Sequence, residues 1–471
     1  MKKEYSKLNL RWKIVIFLIT IIFVFIRLYK VDTTLNFFGD IGRDFFTLHS
    51  WIETKKPPLL GPQTSVISFN QSAIYFYYLL PFYLLFNQSI FSTIYATIFL
   101  YLFFYFSGLI YYRKNIDKQK LITCIFGLIA IHPQFILQSR LPWNPVLAPP
   151  LLIGGFLLLE ELTIKFSDKK EWLATMLLAI AVSLTYSLTP TVFIVLIFYL
   201  WSQKSVLKSI KTIFKLFVSF SLTNLPTIAF EFRHDFLLTR SVLSQEPLQT
   251  IVLSFKKLSE LVSIPLAINA GLVIPILIVV AAIVLFRKRN QAAKSVLFIL
   301  GAVFLAQYLL PFKTHSHYIF GIISLVLILV GKINSKFIKT IFITILLISW
   351  LKPAQIEQYF APAKITIQEK QSCAKTACEE LEFPLFLTLN SSSHDHQAFG
   401  YRYLFSKAGC QVKDLAYEPN LADRLVVVSE NTRYDLGKTD YHEISLFKPT
   451  KIERLIECGD KLTLSVLSNL D

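Results

Sequence analysis

Long apolar runs recur along the first 351 residues, separated by short polar loops, and they lack the two-residue alternation of a half-buried strand. Runs near 20 residues match the length a helix needs to cross a hydrocarbon core of about 30 Å. The pattern therefore predicts about eleven spanning helices. They fall near residues 13–30, 90–112, 120–138, 146–164, 172–187, 189–202, 212–230, 262–286, 295–311, 317–331 and 337–351. A further apolar run, "SAIYFYYLLPFYLLF" at residues 72–86, is interrupted by Pro81 and carries Tyr75, Tyr77, Tyr78 and Tyr83. Tyrosines suit the headgroup level, so this run is expected to lie in the interface, and counting it as a span would invert every later loop.

After Lys352 the long runs stop and charge increases. The stretches "FPLFLTL", "RLVVVS" and "HEISLFK" read as short strands, and "AFGYRYLFSKAG" reads as a helix ending on a glycine suited to a C-cap. The pattern predicts an α-helical polytopic membrane protein over residues 1–352, with a long first outer loop at 31–89, followed by a small α/β domain over 353–471.

Composition agrees with this division: the 471 residues are 54% hydrophobic with a mean hydropathy of +0.52. The net charge of +17 does not indicate nucleic acid, because the basic residues form small clusters between apolar runs instead of a stripe across a soluble domain. Basic clusters in short loops favour the cytoplasmic side. "RKNIDKQK", "KFSDKK", "SQKSVLKSIK", "RKRNQAAK" and "GKINSKFIK" all fall on that side if the N-terminus, with Lys2, Lys3, Lys7, Arg11 and Lys13, is cytoplasmic. The first run has no small-residue cleavage site after it and reads as a retained anchor. The loop at 31–89, the turn "SRLPWNPV", the segments "FEFRHDFLLTR" and "PFKTHSHY", and the tail are then outside a multi-pass plasma-membrane protein.

Four cysteines, Cys373, Cys378, Cys410 and Cys458, lie in the tail, and Cys124 lies in a span. An oxidising compartment allows three pairings of the four, among which sequence does not choose. The spacing of Cys373 and Cys378, and the i,i+2 spacing of His315 and His317, match no zinc signature. No metal or cofactor is predicted. In the tail, His394, Asp395 and His396 read as a polar surface loop, since no nucleophile elbow accompanies them.

Just beyond the first span stands "FFGDIGRDFF", residues 37–46. Asp40 and Asp44 are four apart and would share a helix face. Gly39 and Gly42 favour a turn before the helix begins and would let backbone approach a ligand. A purely structural reading has Asp40 capping the helix and Arg43 pairing with Asp44. Charge at membrane level more often marks function.

One span, a long outer loop opening with Asp and closing with an aromatic interfacial helix, many further spans and a soluble outer tail together resemble the GT-C superfamily of polyprenyl-phosphate-sugar-dependent glycosyltransferases. The likeness is to the bacterial branch that includes protein O-mannosyltransferases and the aminoarabinose transferase. At motif level it covers residues 37–86. Asp40 occupies the place of the family's catalytic acid, and Arg43 matches the arginine three positions on in the aminoarabinose branch. The chain differs in having Ile41 directly after the acid and "FNQSAIYFYY" leading into the aromatic run, with Lys55 and Lys56 earlier in the loop.

The resemblance implies transfer of a sugar from a polyprenyl-phosphate donor to a protein, lipid or glycan acceptor. Asp40 and Asp44 are the candidate catalytic carboxylates, Asp40 as base. Cations must stabilise the departing phosphate, and arginine grips two of its oxygens. The candidates are Arg43, Arg140, Arg233, His234, Lys313, His315 and His317 with Tyr318, and Trp143 and Asn144 form a substrate loop. Each has a plainer alternative: Arg140 as a snorkelling residue with Trp143 in the aromatic belt, Arg233 and His234 as ion partners of Glu231, and the two histidines as a solvated turn. A transporter or flippase would show internal repeats and ionisable residues at mid-membrane, whereas these charges crowd the outer loops. A polymerase or ligase of lipid-linked glycans would act at the same surface.

Overall fold

The computed structural model describes residues 10–64, 70–141, 143–203, 205–244, 254–267, 291–310, 315–391, 397–415, 418–436 and 442–469. The chain is mostly helical, with α1 (Leu10–Leu28) entering first and exposing Phe17, Ile21 and Phe25 on its outer side. The first loop holds α2 (Val31–Thr34), α3 (Gly39–Thr54), a two-stranded ribbon of β1 (Leu60–Gln63) and β2 (Asn70–Ser72), and α4 (Ile74–Leu85). With twelve residues α4 is about 18 Å long, short of a span. Next come α5 (Ser92–Tyr111), α6 (Ile116–Ile131), α7 (Pro133–Ser139), a 3₁₀ turn at Asn144–Leu147 leading into α8 (Ala148–Ile164), α9 (Asp168–Leu184), α10 (Thr189–Ser202), α11 (Val206–Thr223), α12 (Leu225–Arg233) and α13 (Leu237–Ser244). Then follow α14 (Phe255–Leu266), α15 (Gln291–Leu309), a 3₁₀ turn at Ser316–Ile319, α16 (Phe320–Lys332), α17 (Lys336–Trp350) and α18 (Pro353–Phe360).

Two expected straight spans are broken, and the last one is followed directly by a bend. The run 120–138 divides into α6 and α7 at a 67° bend, 212–230 divides into α11 and α12 at 69°, and α17 meets α18 at 57°. Pro133, Pro226 and Pro353 lie in the first turn of each second segment, where the missing N–H and the ring stop the preceding helix from continuing. Among the described residues, two unbroken stretches, Ser92–Tyr111 and Asn144–Ile164, are long and apolar enough to cross a membrane, besides these three bent pairs. Most of the expected span 262–286 lies outside the described residues.

The break at Pro133 leaves carbonyls of α6 without helical partners. Arg27, fully buried in α1, supplies them: its guanidinium donates to Ala130 O at 2.5 Å and Ile129 O at 3.0 Å, and to Ser139 Oγ at 3.1 Å. Arg140 returns the favour at the end of α1, donating to Ile26 O at 2.6 Å, Tyr29 O at 3.0 Å and the Thr34 hydroxyl. Two buried cations thus lock the first span to the bent pair through backbone dipoles.

The opposite ends of the helices carry the basic loops, joined by ion pairs. Lys118 and Lys170 converge on Glu161, Lys332 reaches Glu160 at 2.5 Å, and Lys215 reaches buried Glu171 at 2.5 Å, to which Tyr199 and Thr212 also donate. Lys208 of the 202–211 cluster lies over the Phe166 ring at 5.2 Å, so four of the five basic clusters share one end of the bundle, and the arginines and lysine at 287–289 of the fifth lie outside the described residues.

The tail folds as α/β. Its sheet has the order β4 (Val412–Lys413), β3 (Leu385–Asn390), β5 (Arg424–Glu430), β7 (Leu462–Ser468), β6 (Lys451–Glu457). β3 runs parallel to β4 and β5, while β7 is antiparallel to β5 and β6. Both faces are covered, which suits the unbroken burial of β3. On one face lie α19 (Ile367–Glu380) and α20 (Phe399–Lys407), continuous with the core of the helical part. On the other lies α21 (His442–Phe447). The expected strand "HEISLFK" is thus a helix: Ile444 and Phe447, three apart, pack onto Phe386, Leu425 and Val427. The "AFGYRYLFSKAG" helix ends as expected, with Gly409 at φ +97° just after its cap. Disulfides join Cys373 to Cys458 and Cys378 to Cys410.

Candidate functional site

The motif "GDIGRD" is helical from its first residue, correcting the expected turn. Phe38 is extended and caps α3, the Gly42 N–H donates to Phe38 O at 2.9 Å, and Asp40 lies in the first turn, where the helix dipole favours a carboxylate. Three residues on, Arg43 donates to Asp40 Oδ1 at 2.9 Å and to Asp44 Oδ1 at 3.1 and 3.3 Å. The two carboxylates differ in setting: the Asp40 side chain is 55% exposed and that of Asp44 2%.

That difference sets their chemistry. Burial raises the Asp44 pKa to about 7 against the pull of Arg43, with Asp40 adding to the rise and the nearby Tyr75 hydroxyl opposing it. Burial alone would lower the Arg43 pKa, but Asp44 and Asp40 together hold it above its ordinary value. Arg43 is therefore a fixed cation between an exposed carboxylate and a buried one that titrates near neutrality.

Aromatic contacts link this start of α3 to two other loops. The Phe38 ring lies 6.3 Å from Trp143, and Trp143 lies 4.8 Å from His317. His317 in turn stacks with His315 at 5.7 Å and meets the Tyr318 ring edge-on at 4.3 Å. Beside Trp143, Asn144 donates to Gln71 Oε1 at 2.5 Å and Leu184 O at 2.6 Å, tying β2 to the turn before α8 and to the end of α9. Three loops distant in sequence thus meet at one end of the bundle.

Other candidates sit differently. The Arg140 guanidinium is engaged by carbonyls at the end of α1 and lies over the Phe360 ring at 5.1 Å. Arg233 and His234 are exposed at the end of α12, His234 stacked on Phe230 at 4.0 Å. Glu231 accepts from Leu238 N and Thr239 N at the start of α13, so it caps that helix instead of pairing with Arg233. Among the described residues, Arg233 and His234 make no hydrogen bond or ion pair with Asp40, Arg43 or Asp44. Lys313 and the loop holding His394, Asp395 and His396 lie outside the described residues. Gly42 approaches the tail helix α20, where an open approach to a ligand was expected. Sequence reasoning missed Gln71 as the partner of Asn144 and Arg27 as a buried cation. Arg27 had a signal, a charge inside a span, whereas Gln71 had none.

No protein-family model matches the sequence, and no curated protein matches it. Among solved structures the chain is similar to ArnT from Cupriavidus metallidurans bound to undecaprenyl phosphate, with a TM-score of 0.63 at 10% identity over 98% of each chain. It is likewise similar to the apo state of that protein, with a TM-score of 0.60 at 10% identity and the same coverage. The likeness spans the helical part and the tail alike, and the chain therefore shares the polytopic helical membrane-protein fold of those structures.

Proposed function

We propose that the protein is a membrane glycosyltransferase that moves a sugar from a polyprenyl-phosphate donor to a hydroxyl acceptor at the outer face of the plasma membrane. The observation that carries this reading is the Asp40–Arg43 pair at 2.9 Å at the exposed start of α3, in a GT-C-like fold. The similar ArnT structure is bound to undecaprenyl phosphate, which supports a lipid phosphate as the partner here.

In the proposed step Asp40 accepts the proton of the acceptor hydroxyl as its oxygen bonds to the anomeric carbon. The bond from that carbon to the phosphate oxygen breaks, and the lipid phosphate leaves with the electron pair. Arg43 faces the growing charge on the phosphate, and a planar guanidinium can hold two of its oxygens. Asp44, buried behind Arg43, fixes the guanidinium's direction. Trp143, Asn144, His315, His317 and Tyr318 would line the approach from neighbouring loops, with Arg233 and His234 as outlying cations around the lipid headgroup and Arg140 holding the end of α1 in place beside them. Residues 1–352 form the membrane part, and residues 353–471 form an outer domain.

Comparison of lipid-linked sugars by mass analysis in cells with and without the protein tests the reading. Loss of the protein should cause one polyprenyl-phosphate sugar to accumulate, and its mass would name the sugar. An unchanged pool of lipid-linked sugars would contradict the proposal.

A further inference from the structure

The start of α3 is pressed backbone to backbone against the tail. A Cβ on Gly42 would stand 2.3 Å from both Cα and N of Gly400 and 2.6 Å from the carbonyl carbon of Phe399. These are backbone atoms of α20 that no rotamer change can move, so only hydrogen fits at Gly42. The contact is one-sided: a Cβ on Gly400 would meet nothing nearer than the Phe37 ring at 3.5 Å, an ordinary contact.

A second tail residue reaches the same place. Lys370 of α19, 8% exposed, donates to Phe37 O at 3.2 Å and to Glu430 Oε1 at 2.6 Å. Glu430 also accepts from Tyr401 at 2.9 Å and Ser391 at 2.7 Å, so its pairing with Lys370 is fully supported. Lys370 thus holds the residue just before the α3 cap from 333 positions away. The other tail helix, α20, grips the end of α4: the hydroxyls of Tyr403 and Tyr83 lie 3.1 Å apart, and Lys407 donates to Gln88 O at 2.7 Å. The Cys378–Cys410 disulfide ties α19 to the segment leaving α20.

We propose that the tail domain positions the Asp40–Arg43 helix, with Gly42 and Lys370 as the positioning residues. The inference rests on the transfer reading given above. It goes further in making the tail part of the working site, since a small displacement of groups that act on a reacting centre can cost about 10²-fold in rate.

The test uses purified full-length protein and two independent readouts, hydrogen exchange of residues 37–54 and the rate of sugar transfer at saturating and limiting donor. Gly42→Ala should raise exchange across α3 about tenfold or more while the amides of β3 and β5 stay protected. Per folded molecule, kcat should fall at least about tenfold. Gly400→Ala should stay within about twofold of the parent in both, because its Cβ has room. Lys370→Met combined with Glu430→Gln removes the link to Phe37 without leaving a buried charge. It should move both readouts in the direction of Gly42→Ala, and it takes that variant's place if Gly42→Ala does not fold. A merely structural contact would lower the yield of folded protein and leave kcat per folded molecule unchanged. The proposal is overturned if α3 exchange is unchanged, or if exchange rises while kcat is unchanged. If the parent protein transfers no sugar from any lipid donor, the transfer reading fails, and the exchange arm still decides whether the tail holds α3.

Discussion

Asp44 offers a prediction in which pH and mutation should act together. Its carboxyl is buried behind Arg43, with Nη2 3.1 Å away and a pKa near 7. A phosphate bound by Arg43 would lie about 6 Å from the Asp44 carboxylate, where two like charges at an effective dielectric constant of about 20 repel by about 2–3 kcal/mol. Ionising Asp44 should therefore weaken donor binding by about 30- to 150-fold at most. A sugar-phosphate-lipid diester carries one charge at every pH of interest, so a change of its affinity between pH 6 and 8 reports on the protein. Binding of that donor, measured by competition with a fluorescent lipid phosphate in detergent, should strengthen as pH falls through about 7. Asp44→Asn should bind at pH 8 as tightly as the parent does at pH 6, with the pH dependence gone. The same shift has a stability signature. Because the folded-state pKa is raised above 3.8, the proton is held more tightly in the folded protein, and Asp44's contribution is lost as pH rises from about 4 to about 7. The slope is at most about 1.4 kcal/mol per pH unit. Donor affinity independent of pH between 6 and 8 in the parent would refute the reasoning, as would tighter binding above pH 7.

Three further outcomes follow from the fold. Arg27→Leu should destabilise the protein by about 2–6 kcal/mol, since it strands the carbonyls of Ile129 and Ala130 in a dry interior, and thermal unfolding in detergent measures it. Replacing Cys373 and Cys458 by serine should cost about 4–5 kcal/mol, and replacing Cys378 and Cys410 about 3–4, because the closed loops span 85 and 32 residues; calorimetry in both backgrounds checks the order. An impermeant thiol reagent applied to whole cells should label Arg433→Cys in the tail and spare Lys169→Cys in a basic loop, and the reverse pattern would invert the topology.

What was legible in the sequence was what depends on local spacing. Asp40 and Arg43 meet because they are one helical turn apart, and β3 and β5 announce themselves as short apolar runs bounded by breakers. The basic loops share an end because the bundle alternates direction. The stretch "HEISLF" fits both periods, and only the apolar sheet face beneath Ile444 and Phe447 makes it helical. Pro133 and Pro226 sit inside apolar runs, where hydropathy sees continuity and the missing N–H makes a bend. Gly42 gives the same signal whether the partner is a ligand or another backbone, and the partner, Gly400, is brought there by the tertiary fold. Arg140 reads as a loop cation, and its engagement depends on carbonyls of a helix more than a hundred residues earlier. The cysteine pairing likewise waited on the relative placement of α19, α20 and β6.

Sugar transfer by purified Asp40→Asn protein, from a polyprenyl-phosphate donor, tests the central claim most directly. Asparagine keeps the size of aspartate and can still accept the hydrogen bond from Arg43 Nη1, now 2.9 Å long, so the fold and donor binding should persist. It cannot accept the acceptor's proton, and a general base typically contributes 10²–10⁴-fold, about 3–5 kcal/mol of barrier. Turnover should fall by that factor with donor affinity within a few-fold of the parent. Turnover close to the parent's would show that Asp40 is a structural partner of Arg43, and the proposed mechanism would be wrong.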